Sequence, residues 1–156
     1  MGCRVDIRQL KQLQKKMEAM QRNELDKLLE DISKEIARRL LNKVVKRTPV
    51  GVYPKGSGKV GGTLRRGWTG GKEIPVKTFV DGIRVNKLGS TYVIEIKNDV
   101  KYALFVEYGH RTRNGANWVN GKFMMTISEQ EVQNGIADRV VKKHLEKKLR
   151  EVFSGS

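Results

Sequence analysis

Apolar positions along the chain form helical stripes at both ends and an alternating pattern in the middle. Ile7, Leu10, Leu13, Met17 and Met20 recur at intervals of three and four, and Asp6 with Gln9 can cap their start. They predict a short amphipathic helix. Leu25, Leu28, Leu29, Ile32, Ile36, Leu40 and Val44 make a longer stripe and predict a second helix, with Asn23 as its N-cap. Glu24 and Asp26 lie in its first turn and Lys43, Lys46 and Arg47 in its last, as the helix dipole favours. Thr48-Pro49 stops it, because a residue before proline is pushed out of the helical region. Near the C-terminus, Ser128 and Glu131 form a capping box. Val132, Ile136, Val140, Val141, Leu145, Leu149 and Val152 continue that helix along one face. Gly135, inside it, costs about 1 kcal/mol relative to alanine and predicts a kink.

Between the helices the period changes. Val76 to Val85 is rich in β-formers, broken at Asp81-Gly82. In TYVIEIK, Thr91 to Lys97, Tyr92, Ile94 and Ile96 face one way and Val93, Glu95 and Lys97 the other. The link NKLGS predicts an antiparallel hairpin, with a third strand around Leu64 to Thr69. Val100 to Tyr108 reads as one or two turns of helix, ended by Gly109 in a left-handed conformation, with Leu104 and Phe105 packed under the sheet. The expected fold is α+β: a small antiparallel sheet packed with long amphipathic N- and C-terminal helices. A length of 156 residues fits a single domain. Its expected segments are helical 1–47, a glycine-rich basic loop 48–75, strands in 76–98, a short helix and projecting loop in 99–125, and a helix in 126–153.

Composition adds a thin core and a strong charge. The chain is 38% hydrophobic and 31% charged, with a net charge of +15. Long charged helices would leave much surface uncovered, so packing against other copies or partners is expected. The excess charge points to a polyanion or an acidic protein surface. It is spread along the chain, but residues 51–121, with 12 basic and 5 acidic residues, are the most one-sided segment. Cys3 is the only cysteine, so no intrachain disulfide can form, which suits a reducing cytoplasm. No signal-peptide pattern and no long apolar run is present, which predicts a soluble protein that is not exported by a signal peptide.

Candidate chemistry is sparse. GSGKVG, Gly56 to Gly61, matches a dinucleotide fingerprint in letters, but a helix precedes it and a glycine-rich loop follows, where the fingerprint needs a strand and then a helix. Val60 after Lys59 excludes a Walker loop. His110 and His144 lie on different expected elements, so no zinc spacing exists and no metal or cofactor is expected. Glu107 with His110 is a weak acid–base pair. A carboxylate at a helix C-terminus opposes the dipole and calls for a positive partner, for which Arg65 or Arg66 would serve. No enzyme is expected. After Gly109 the chain enters HRTRNGANWVNGKF, with Asn120-Gly121 as the stronger turn signal and Asn114-Gly115 as the second. Arg111, Arg113, Trp118 and Lys122 make this a projecting basic loop suited to a partner interface, either protein or phosphate.

Three motifs occur in order: RTPVG from Arg47, GGTLRRGW from Gly61 and YALFVEYGHRTRNG from Tyr102. Together with the helical C-terminus they resemble the tail-completion or neck proteins of tailed bacteriophages, which include minor tail components. The motif positions are Pro49, Thr63, Leu64, Arg65, Arg66, Trp68, Tyr102, Glu107, Gly109 and His110. Two departures stand out. Gly61-Gly62-Thr63 replaces the usual Asp-Thr-Gly, and the loop from Val50 to Thr63 is longer than usual. The resemblance implies a non-enzymatic structural subunit that forms a homo-oligomeric ring, often a hexamer, at the neck or tail terminus. It would serve in head–tail joining, tail completion or as a collar. Partners would be tail tube, terminator, sheath or connector proteins, with DNA in the lumen compatible with the charge. The location would be a virion or phage tail-like particle, assembled in the bacterial cytoplasm. The alternative from the charge alone is a basic nucleic-acid-binding protein, although no reading module is present.

Overall fold

The computed structural model describes Lys15 and residues 22–155. The expected helix around Ile7 to Met20, and Cys3, lie outside the described residues. The fold is α+β, with helices dominating and two separate two-stranded antiparallel sheets.

Helix α1, Arg22–Arg47, is the spine. Of the expected stripe, Ile32 and Val44 are buried, whereas Ile36 and Leu40 are only partly so; the face turned to the core is shifted by one residue, to Ala37, Leu41 and Val44. Asn23 lies inside this helix rather than ahead of it, so it is not the cap. At the other end Thr48 does close the helix, its amide bonding back to the Val44 carbonyl. The glycine-rich segment that follows is largely loop, interrupted by helix α2, Thr63–Gly67. This replaces the expected third strand. Leu64 and Trp68 are four apart on one helical face, and both are buried.

Val76 to Val85 is also helical at its start: α3 spans Val76–Asp81. Local β-propensity loses here to packing. Val80 enters the core, Lys77 pairs with Asp81 one turn on, and Lys34 of α1 donates to the Asp81 carbonyl at 3.0 Å. Strands β1, Asn86–Leu88, and β2, Thr91–Val93, form the expected hairpin. The pairing is Asn86 with Val93, Lys87 with Tyr92 and Leu88 with Thr91, so β1 falls within the residues read as a link. Beyond β2 the alternation persists through Lys97, with Ile94 and Ile96 against the core and Glu95 and Lys97 exposed. Asp26 of α1 anchors this hairpin by accepting from the Lys87 ammonium at 2.8 Å and from the Tyr92 hydroxyl.

Helix α4, Ala103–Tyr108, leads directly into β3, Gly109–Arg111, which pairs with β4, Trp118–Asn120. Helix α5, Met124–Glu131, then kinks at Asn134 and Gly135, where Gly135 has φ 123°, before α6, Ala137–Ser154. The kink stands where the glycine predicted it. The capping box does not. Ser128 is inside α5 and fully buried, its hydroxyl donating to the Met124 carbonyl at 2.6 Å. Glu131 is held by Lys43 and Arg47 of α1. Helices α3, α5 and α6 all pack on α1. The core gathers Ala37, Leu41, Val44, Leu64, Trp68, Val80, Ala103 and Met124.

Candidate functional site

The motif residues meet in two polar knots on either side of Trp68. The first centres on Thr48. Its buried hydroxyl donates to the Val44 carbonyl at 2.7 Å and accepts from the Trp68 indole at 2.8 Å. Its carbonyl accepts from the Arg65 guanidinium at 2.7 Å. Thr48 thus joins the end of α1 to α2. The Asn98 amide adds a tie to the Leu64 carbonyl at 2.8 Å. Arg66 reaches the Gly61 carbonyl, at 3.3 Å. Pro49 and Thr63 are exposed beside the knot.

The second knot is Glu107. Its carboxylate, only 5% exposed, accepts from the amides of Met125 and Thr126 at 3.1 and 2.9 Å and from the Thr126 hydroxyl at 2.8 Å. The expected partner, Arg65 or Arg66, is therefore not used. A carboxylate at the C-terminus of α4 is placed at the N-terminus of α5, where open amides and the dipole favour an anion. This also decides which face of α4 is buried. Ala103 and Glu107, four residues apart, point inward, so Leu104 and Phe105 point out, at 69% and 57% exposure. The expectation that they pack under the sheet is overturned by the demand of Glu107.

Glu107 and His110 do not form a pair. The His110 ring sits edge-on to Phe105 at 5.8 Å, on β3, while the Glu107 oxygens turn to α5. Gly109 joins the two elements with φ 89° and ψ 170°, which is not the left-handed helical stop the sequence predicts but the first residue of β3. A Cβ there would lie 2.5 Å from the Val119 carbonyl oxygen. Across the ladder, a Cβ on Gly121 would lie 2.2 Å from the Glu107 carbonyl oxygen. These two glycines let the hairpin close against the end of α4.

The basic segment after Gly109 is an ordered β-hairpin rather than a loop. Asn114-Gly115 makes its tip, and Asn120-Gly121 falls at its base, where Asn120 pairs with Gly109. Thr112 secures the tip: its amide donates to the Asn117 carbonyl at 2.9 Å and its hydroxyl to the Asn114 side-chain oxygen at 2.7 Å. Arg111 and Trp118 are direct ladder partners and share one face of the hairpin. Arg111, Arg113, Trp118 and Lys122 are all exposed, and no acidic residue occurs between Glu107 and Glu129. At the foot of the hairpin lies Tyr108, 58% exposed and edge-on to the Phe123 ring, whereas exposed Tyr102 lines a cavity with Pro49, Val50 and Tyr53. Leu104, Phe105, Tyr108 and Trp118 are all exposed large apolar side chains.

A different cluster, missed in the sequence, ties α6 to α1. Glu35 is buried and accepts from Arg39 at 2.7 Å, His144 at 2.7 Å and Lys143 at 3.4 Å. The Arg39 hydrogen bond, aided by His144 and Lys143 and opposed by burial, holds its carboxyl at a pKa of about 2. Its signal in the sequence was faint: one acid on the apolar side of an amphipathic helix.

The family model described as "Bacteriophage HK97-gp10, putative tail-component" matches residues 11–109, well over half of the chain. The chain belongs to this HK97 gp10-like family of phage tail components. The match contains the Thr48 knot, α4 and Glu107 and ends at Gly109, so the rest of the hairpin, α5 and α6 lie beyond it. A tail component is part of the virion, works alongside other tail proteins, and belongs to a structural class of protein that is usually non-enzymatic. Among the described residues no helix is long and apolar enough to cross a membrane. No curated protein and no solved structure matches the chain.

Proposed function

We propose that this chain is a non-enzymatic subunit that forms a closed homo-oligomeric ring at the neck or end of a phage tail, completing the tail or joining it to a head. The family match over residues 11–109 carries the reading. The structure supports it with two surfaces of different kind. One is the exposed aromatic and cationic end around Trp118 and Tyr108; the other is the long flank of α1 and α6. A ring subunit needs two such non-identical patches, one for each neighbour. The exposed segment from Val50 to Val60, with Val52 and Val60 open to solvent, suits ordering against an adjacent copy or tail protein. Arg111, Arg113, Trp118 and Lys122 face partners, whereas Arg65 and Glu107 hold the fold.

Native mass spectrometry of purified particles tests this. The chain is expected as a stoichiometric multimer in the particle, and its absence there overturns the reading. Trp118→Ala is expected to keep the circular-dichroism spectrum of the wild type and to lose incorporation. If that variant unfolds instead, Trp118 belongs to the core and the interface assignment is wrong.

A further inference from the structure

The best β-pattern in the chain is only half used. Of the seven residues Thr91 to Lys97, three pair with β1. The other four continue the alternation, with Ile94 and Ile96 against the core, yet no backbone hydrogen bond among the described residues engages Ile94, Glu95, Ile96 or Lys97. These four residues lie past the end of β2 and outside any ladder; extended, they span about 13 Å and present donors and acceptors that no described strand pairs. Such an edge is a template for another strand, which proteins normally cover or blunt. Asp26, gripping Lys87 and Tyr92, holds the edge in place.

Beside this edge opens a cavity of about 210 Å³, lined by Ile96, Ala103, Leu104, Tyr108, Met124 and Met125 among others. Its walls are mainly apolar, and methionines adapt to an inserted ring. It has the scale of one large aromatic side chain. The chain carries such a side chain on an exposed strand: Trp118, 59% exposed, on a two-stranded hairpin whose outer edges pair with no other strand among the described residues.

We propose that the β3–β4 hairpin of one copy adds to the Ile94–Lys97 edge of the next, with Trp118 seated in the cavity beside Ile96. This rests on the ring reading above and names its contact. Three observations favour a second copy as the occupant. Edge and hairpin are different surfaces of one chain, so repeating the contact propagates head to tail and closes a ring. Backbone pairing supplies affinity while the pocket for an alternate side chain supplies register, the usual division in strand addition. The charges also complement. The hairpin offers Arg111, Arg113 and Lys122 with no acid; on the edge Lys97 is matched by Asp99 at 3.3 Å, which leaves Glu95 exposed in mid-edge with no ion pair among the described residues.

Two variants of the full chain each remove one half of the contact. Glu95→Pro deletes an amide from the open edge; that amide makes no backbone hydrogen bond among the described residues, so the thermal midpoint should stay unchanged. Trp118→Ala empties the cavity and leaves the edge intact. Sedimentation of each alone should show the shift from ring to monomer. Mixed in equal amounts, the two should give a one-to-one dimer and nothing larger, because each supplies the half the other lacks. Hydrogen exchange gives a second readout that needs no proline: the Ile94 to Lys97 amides should be protected in the wild-type ring and open in Trp118→Ala. Rings that persist in both variants, or those amides exchanging freely in the wild-type ring, overturn this contact and leave the ring reading standing. A wild-type chain that stays monomeric also overturns it, and the ring reading is then decided by the particle measurement above.

Discussion

Thr48 shows how much one hydroxyl can hold. It links α1 to α2 through Val44, Trp68 and Arg65, all in the interior or its margin. Thr48→Val keeps the shape and removes the acceptor, leaving the buried indole N–H unpaired. The expected cost is about 1–3 kcal/mol. Thermal denaturation should show a midpoint lower by roughly 2–4 °C per kcal/mol. In the sequence this threonine reads only as a stop signal before Pro49, because its partner Trp68 is distant along the chain. Glu107 is legible as an acid in need of a donor, but the donors are backbone amides, which no sequence pattern displays. Glu107→Ala should cost about 2 kcal/mol in urea denaturation, by analogy with hydrogen bonds to charged groups. Glu107→Gln should lose less, since its amide oxygen still accepts at the end of α5.

At the scale of elements, long stripes were read well and short ones poorly. Seven apolar positions over twenty residues leave α1 no other regular structure. Four to six residues of β-branched sequence do not bind the chain in the same way. Val76–Asp81 coils as α3 because Val80 is needed against α1, and Thr63–Gly67 coils because Leu64 and Trp68 must share a face. Ser128 and Glu131 imitate a cap but serve the contact with Arg47, Lys43 and α1. The α1–α6 contact carries its own pH dependence. Glu35 has its pKa lowered from 4.5 to about 2 in the folded chain. A depressed carboxylate stabilises above its unfolded pKa and loses that stabilisation as pH falls toward the folded one. The unfolding midpoint should therefore decline between about pH 5 and pH 2. In Glu35→Gln that decline should be shallower, and an identical profile would remove Glu35 from the explanation.

For the whole molecule, the charge is the feature most open to a different reading. A net charge of +15 would serve DNA binding, but the cations are distributed and many are occupied, as with Arg65 at Thr48 and Arg47 at Glu131. The isolated subunit should bind duplex DNA weakly. Tight binding with a steep dependence on salt would favour the nucleic-acid reading, since each neutralised phosphate steepens the slope. The long helices and the β1–β2 hairpin were visible in the sequence. Which residues face outward was not, because that choice was made by Glu107 and the closing of the hairpin on Gly109 and Gly121.

Electron cryomicroscopy of the purified particle, at a resolution that traces the chain, bears most directly on all of this. It should reveal a closed ring of this subunit at the neck or tail end, with the Trp118 hairpin buried against an adjacent protein. A particle in which the subunit is lacking, or sits singly with that hairpin free in solvent, would contradict it.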